Sequence, residues 1–221
     1  MTIKEAVKQR HMVRKYTDKP IPAELVAQLN ARIEENNMKY GLNIALVTGN
    51  ADGLAGIAKL LLARGVKNYI ILAGDDTPEL DEKLGYCGAD LILYAQTLGL
   101  NTWWIGGMYN VNGAKKNLRH TAVRVNGVIA IGYGQTQGVQ HKSKSAEEIS
   151  QYNGTAPQWF IDGIEALLYA PTALNKQAYM VRGDGNTVSI TCNNGRFADI
   201  DLGIGKYHFE VGAGQENFEW K

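Results

Sequence analysis

A proline-centred turn between a helix and a strand restricts how the last third of this chain can fold. Trp159, Phe160, Ile164, Leu167 and Leu168 recur at helical spacing, and Ala178-Tyr179-Met180-Val181 reads as a strand. Between them stands Ala170-Pro171-Thr172-Ala173-Leu174-Asn175-Lys176-Gln177. Pro171 fixes its own φ and disfavours helix at Ala170, so the chain must leave the helix there. Thr172, Asn175 and Gln177 bring donors and acceptors without charge, which suits a planar polar ligand. The alternative is a polar helix-to-strand loop with no ligand.

The rest of the pattern alternates helix and strand. Ile3 to Gln9 predicts a short helix that carries arginines at its end. Pro20 to Pro22 breaks the chain, and Leu25, Val26, Leu29 and Ile33 then recur at helical spacing. Asn43 to Thr48 and Tyr69 to Ala73 read as buried strands, with a helix expected around Ile57 to Leu62. Gly85 to Gly99 is a broadly apolar helix, and Val123 to Tyr133 is one more core strand. From Gln135 to Asn153 the composition turns polar. Ser145-Ala146-Glu147-Glu148 has the capping-box form, and Thr155-Ala156-Pro157-Gln158 offers a second box with proline in the first turn. Asp184-Gly185 supplies a hairpin turn, Asn193-Asn194-Gly195 another turn, and Asp199 to Gly212 a helix that contains several glycines. A weak internal repeat relates the two halves, with Gly88-Ala89-Asp90 corresponding to Leu202-Gly203-Ile204.

Bulk properties exclude several classes. The 221 residues carry a net charge of +1, too little for an electrostatic footprint on nucleic acid. No run approaches the roughly 20 apolar residues of a membrane span, and the N-terminus lacks an export segment, so a cytoplasmic location is expected. Cys87 and Cys192 are far apart in apolar contexts, which favours two buried thiols over a disulfide. Gly132-Tyr133-Gly134 follows a strand, but no helix with a close-packed third glycine follows at once, so the dinucleotide fingerprint fails. His11, His120, His141 and His208 are scattered and suggest no metal site; His208 and Glu210 are expected to be solvated. There is no Gly-x-Ser-x-Gly elbow.

Four stretches together resemble the FMN-dependent nitroreductase family. Arg10-His11-Met12-Val13-Arg14-Lys15-Tyr16 is similar to its opening arginine motif, and Pro171 to Gln177 to its Ala-Pro-Ser-x-x-Asn-x-Gln turn. Gly85 through Leu98-Gly99-Leu100 to Trp104-Ile105-Gly106-Gly107 resembles its helix leading to a glycine loop beside the flavin. Val128 to Gly134, Lys142-Ser143-Lys144 and Ala146-Glu147-Glu148 resemble its last strand, basic cluster and closing helix. The position of Met12 is commonly serine in the family, so one hydroxyl donor is missing here.

The resemblance implies an α+β fold with mixed, mainly antiparallel sheets flanked by helices and an internal pseudo-two-fold duplication. In ordinary nitroreductases the proline turn lies close in sequence to the arginine motif, and one subunit's turn completes its partner's site. Here Asn36 to Asn43 occupies that place without the motif, which appears only at Pro171. A pseudo-dimer is therefore expected, with a larger half, 1–153, and a smaller one, 154–221, packed as one globule that is monomeric.

The implied cofactor is FMN. Arg10 and His11, with Lys142 and Lys144, are expected at its phosphate. A helical i, i+4 spacing would put Arg14 on the same face as Arg10, within reach of the ring. Ile105, Gly106 and Gly107 are expected beside N5, and Pro171, Thr172, Ala173, Asn175 and Gln177 over the ring edges. The implied partners are NAD(P)H and a small aromatic or quinone-like acceptor, with no side chain required as a catalytic group. Tyr16, Trp103, Trp104, Tyr109, Tyr179 and Tyr207 offer an aromatic pocket, although such residues serve more often as core. A flavin-binding or flavin-storing protein without turnover would carry the same motifs.

Overall fold

The computed structural model describes residues 1–56 and 63–221; the helix expected around Ile57 to Leu62 lies outside them. Two compact units share the chain. One comprises Gln9–Leu80 and Leu91–Gln140, the other Met1–Lys8, Asp81–Asp90 and His141–Lys221.

The first unit is built on a four-stranded antiparallel sheet of β1 (Ala45–Val47), β2 (Tyr69–Gly74), β3 (Asn101–Ile105) and β4 (Arg124–Gly132), in the order β1-β2-β4-β3. Every residue of β2 is buried, as its unbroken apolar run requires of a central strand. A bulge between Leu72 and Ala73 shifts the β2–β4 register, and the short helix α4 (Val111–Lys115) lies between β3 and β4 in the chain. Ile71, Trp103, Val128 and Ala130 meet in the core. Helix α2 (Ala23–Tyr40) stops at Gly41, whose φ of 66° is left-handed and whose N–H donates to the Asn37 carbonyl. The Asn37 amide then exchanges two hydrogen bonds with the Ile44 backbone and directs the chain into β1.

The stretch after α1 (Ile3–Gln9) is extended rather than helical. Met12 bridges Thr102 in parallel, Val13 N–H donates to the Thr102 carbonyl at 3.1 Å, and Thr17 N–H to the Tyr133 carbonyl at 2.8 Å. Arg10 and Arg14 are consequently not one helical turn apart. Four extended residues span about 13 Å against about 6 Å in a helix. Val13 and Tyr16 are buried against the sheet, and that burial outweighs helix propensity here.

The second unit carries its own four-stranded sheet: β5 (Ser150–Tyr152), β6 (Tyr179–Asp184), β7 (Thr187–Cys192) and β8 (Glu219–Trp220), in that order. The β6–β7 hairpin turns at Gly185-Asn186 with Gly185 at φ 57°, while β5–β6 and β7–β8 are parallel. Helices α6 (Gln158–Leu167) and α7 (Ala198–Ala213) pack so closely that a Cβ on Gly163 would meet the Phe209 ring and one on Gly212 the Asp162 carbonyl. Phe160, Phe209, Phe218 and Trp220 form an edge-to-face cluster beside them.

Helix α3 (Leu80–Thr97) begins five residues before the expected start and contributes to both units. Gly85 lies inside it, not at its mouth. Gly85 directly touches the Ile200 backbone of α7, a contact that offsets its poor helix propensity of about 1 kcal/mol. Helix α5 (Ala146–Ile149) opens with the expected box, Ser145 N–H donating to the Glu148 carboxylate at 2.8 Å. The second expected box does not form: Pro157 is itself the N-cap of α6 and Thr155 makes no capping bond. His208 and Glu210 are buried, not solvated. Glu210 accepts from the Tyr86 hydroxyl, the Trp220 indole and the Gln215 amide, which is how a carboxylate is accommodated at a helix–helix contact.

Candidate functional site

Arg10 is the first residue past α1 and only 5 % exposed. Its Nε finds no hydrogen-bond partner among the described residues, and burial pushes the guanidinium pKa down to about 10. A buried guanidinium with an unused donor is costly unless an anion meets it. His11 beside it is held below the usual imidazole value by burial first and by the Arg10 charge second. Arg14 is exposed, with its guanidinium 5.2 Å from the centre of the Trp103 ring. Trp103 is on β3, whose end carries Ile105, buried, and then Gly106 and Gly107 in a bend that opens to solvent. Arg14 is thus carried by an extended segment bridged to β3, and the glycine bend by the end of β3 itself.

In the second unit the basic segment and the proline turn form one hydrogen-bonded cluster. The Gln177 side chain is 1 % exposed; its carbonyl accepts from Lys144 N–H at 2.8 Å and its amide donates to the Leu168 carbonyl at 2.8 Å. Lys144 Nζ donates to the Gln177 backbone carbonyl at 2.9 Å, and Asn175 Nδ2 to the Lys142 backbone carbonyl at 2.8 Å. Ser143 also donates to the Leu168 carbonyl, at the end of α6, and the His141 ring lies 3.1 Å from it. Thr172 Oγ1 accepts from Gln177 N–H at 3.0 Å. Gln177 therefore directs its amide to the chain itself, whereas Pro171, Thr172 and Ala173 are partly exposed and Asn175, Lys142 and Lys144 are open to solvent.

The turn itself is strained. Leu174, Asn175 and Gln177 all adopt positive φ, at 56°, 54° and 44°, although none is glycine. Left-handed backbone costs on the order of 1–2 kcal/mol for a residue with a Cβ. Leu174 is also 84 % exposed at the tip. Ala173 sits in a fork: its N–H donates to Asp201 Oδ1 at 3.1 Å, and its carbonyl accepts from Asn194 Nδ2 at 3.2 Å. Asn194 donates to Asp201 Oδ2 as well, at 2.6 Å. Nothing in the residue pattern singled out Asp201 or His141 for this cluster; Asn194 read as a turn residue and Ser143 only as the middle of the basic segment.

Of the six aromatics considered for a pocket, Tyr16, Trp103, Tyr179 and Tyr207 are core residues, and Trp104 and Tyr109 are partly exposed. Tyr16 donates to the Ala130 carbonyl, and Tyr207 to Asp90 at 2.6 Å. Neither cysteine is in a disulfide; Cys87 is buried and Cys192 partly so. Among the described residues, no helix is long and apolar enough to cross a membrane.

A family model described as "Putative TM nitroreductase" matches residues 2–213. The chain belongs to this nitroreductase family. Solved structures agree on the fold. The "putative nitroreductase" of Thermotoga maritima superposes with a TM-score of 0.71 at 19% identity, over 96% of this chain and 83% of that one. The "putative nitroreductase" of Desulfovibrio desulfuricans, solved in complex with FMN, gives a TM-score of 0.53 at 20% identity, over 67% of this chain and 95% of that one. A "Putative NADH dehydrogenase/NAD(P)H nitroreductase" of Parabacteroides distasonis gives 0.53 at 21%, over 69% and 98%. At such identities the likeness carries the fold alone. The α+β architecture, rich in antiparallel pairing, is the nitroreductase fold. No curated protein matches the chain.

Proposed function

We propose that this chain is an FMN-dependent oxidoreductase of nitroreductase type, using NAD(P)H to reduce small aromatic or quinone-like acceptors. The observation that carries the reading is Arg10: a buried guanidinium whose Nε has no partner among the described residues is suited to a phosphate dianion. Family membership, the FMN complex of the Desulfovibrio relative and the NAD(P)H in the name of the Parabacteroides relative support it.

FMN, when bound, supplies a ring that accepts a hydride at N5 and releases it to a second substrate. The chain's part is binding and electrostatics. Arg10 and His11 neutralise and bind the phosphate, with Lys142 and Lys144 adding charge. Arg14, exposed and backed by Trp103, favours negative charge at the pyrimidine end of the ring. The bend Ile105-Gly106-Gly107 offers backbone N–H groups beside N5, because glycine lets a ligand approach the main chain. Pro171, Thr172, Ala173 and Asn175 meet the polar ring edge, and Gln177 contributes by holding Lys144 and the turn.

The same reading includes a duplication, with unequal halves 1–153 and 154–221 that stand in for the two subunits of a dimer. It is supported by a reciprocal contact: a Cβ on Gly85 would meet the Ile200 carbonyl oxygen at 2.1 Å, and one on Gly203 the Glu82 carbonyl oxygen at 2.0 Å. Residues 82 and 85 in α3 thereby correspond to 200 and 203 in α7, one helical turn from the match of Gly88-Ala89-Asp90 with Leu202-Gly203-Ile204 expected from the residue pattern; this is the mutual pattern of a two-fold interface.

Purification and anaerobic titration test the proposal. The protein is expected to be yellow, to hold about one FMN per chain as one-site binding requires, and to bleach with NADH or NADPH. A quinone or nitroaromatic should restore the colour. A protein that takes up no FMN would defeat the proposal. One that binds FMN but never bleaches would be a flavin store.

A further inference from the structure

We propose that Asp201, with Asn194, is the positioning residue of the proline turn, locking the Ala173 peptide so that Leu174, Asn175 and Gln177 stay in left-handed backbone. Asp201 is in the first turn of α7 and 1 % exposed. Its carboxylate accepts the Ala173 N–H through both oxygens, at 3.1 and 3.3 Å, and the Asn194 amide at 2.6 Å. Asn194, 4 % exposed, turns the same Nδ2 towards the Ala173 carbonyl at 3.2 Å. The main chain of one residue is therefore held at its donor and its acceptor, in two successive peptide groups, by two buried side chains just before Leu174, Asn175 and Gln177. Tyr179 donates to the Asp201 carbonyl at 2.8 Å and ties the clamp to β6.

Strained non-glycine backbone persists only where its surroundings over-determine it. Within the turn, the bonds from Asn175 N–H to the Thr172 carbonyl and from Gln177 N–H to Thr172 Oγ1 are local and would follow any rearrangement. The Asp201–Asn194 grip comes from other elements and fixes the turn in the frame of α7. A buried carboxylate is well suited to this, because a charge-assisted bond to a backbone N–H is about twice as strong as a neutral one.

The proposal rests on the flavin reading, since what the turn is held for is the ring edge. Asp201→Asn keeps the shape but places an amide donor against Ala173 N–H or Asn194; Asn194→Ala removes the second grip without touching the carboxylate. Two measurements on the purified chain test it. Hydrogen exchange of the FMN-free protein should show faster exchange at 172–177 in both variants, with unchanged protection in β6 and β7. Affinities for FMN and for riboflavin should both fall about tenfold, the equivalent of one lost hydrogen bond of this strength. Equal loss for the two ligands assigns the effect to the ring, since riboflavin has no phosphate. Unchanged exchange at 172–177 in both variants overturns the clamp. Faster exchange with unchanged flavin affinity overturns the positioning role while leaving the flavin reading intact. A wild-type chain that binds neither ligand defeats the flavin reading, and the positioning role with it.

Discussion

Gly85 in α3 and Gly203 in α7 are counterparts at one helix crossing, each pressed against a backbone carbonyl of the other helix. A Cβ would come within 2.1 Å of the Ile200 oxygen from Gly85 and within 2.0 Å of the Glu82 oxygen from Gly203. Around them Lys206 pairs with Glu82 at 2.5 Å, Tyr86 donates to Glu210 at 2.5 Å, and the Tyr86 and Tyr207 rings meet edge to face.

Because the obstacle is main chain, no side-chain rotation relieves it. Gly85→Ala and Gly203→Ala should each destabilise the protein by about 3 kcal/mol, the upper range for overpacking. Urea denaturation measures this directly. The gain in helix propensity from alanine, about 1 kcal/mol, is too small to compensate. Gly56→Ala, where a Cβ meets none of the described residues within 4 Å, is the control and should cost far less.

Arg10 predicts opposite effects on stability and on binding. Replacing it by methionine removes a buried charge with an unused donor, so the flavin-free protein should gain about 1 kcal/mol or more in stability. FMN affinity should fall roughly 10- to 100-fold through the lost charged hydrogen bond, and riboflavin affinity should not change. Calorimetric melting and fluorescence titration read the two effects separately. A fall in both stability and riboflavin affinity would mean that Arg10 serves the fold instead.

Asp201 gives a pH signature. Burial is the largest influence on its carboxyl and holds the pKa above its ordinary value, against the hydrogen bonds from Asn194 and Ala173 that lower it. The folded value exceeds the unfolded one, so the group's stabilising contribution is complete below the unfolded pKa, about 3.9, and is lost as pH rises through the raised folded pKa. Asp201→Asn lacks that contribution. Wild-type stability relative to the variant should therefore decline in urea midpoints as pH rises above about 4. A parallel pair of profiles would count against the raised value.

Cys192 should be inert despite its partial exposure. Burial first, and the Asp201 charge second, push its thiol up to about 12. At mildly alkaline pH its thiolate fraction is about a thousandfold below that of an ordinary cysteine, and alkylation should slow in proportion. Cys87 is fully buried. Mass spectrometry after brief iodoacetamide treatment should find both thiols unmodified in the native chain and both modified in urea.

Much of the architecture was legible in the residue order, because periodicity reports burial. The unbroken apolar run at Tyr69 to Ala73 had to be a central strand, and Leu29 and Ile33 had to line one face of a helix. Pro171 ended its helix wherever the rest of the chain went, since a proline ring and the residue before it are restricted locally. The turn's polar composition and the burden of charge at Arg10 were equally visible. The edge strands β3, β5 and β8 were not, being short or polar and stabilised only by the neighbours they pair with.

What tertiary structure alone decided is which atoms those residues face. Residues 10–14 satisfy both helical and extended spacing, and the Thr102 and Arg64 backbone partners chose the extended form. Gln177 reads as a ligand-facing amide, yet it closes on Lys144 and Leu168. Asp201, a plain acid at a helix start, became the anchor of the Ala173 peptide. Local sequence fixes backbone preference and the inventory of donors and acceptors. The pairing of those groups depends on contacts between residues remote in the chain, and periodicity carries no information about them.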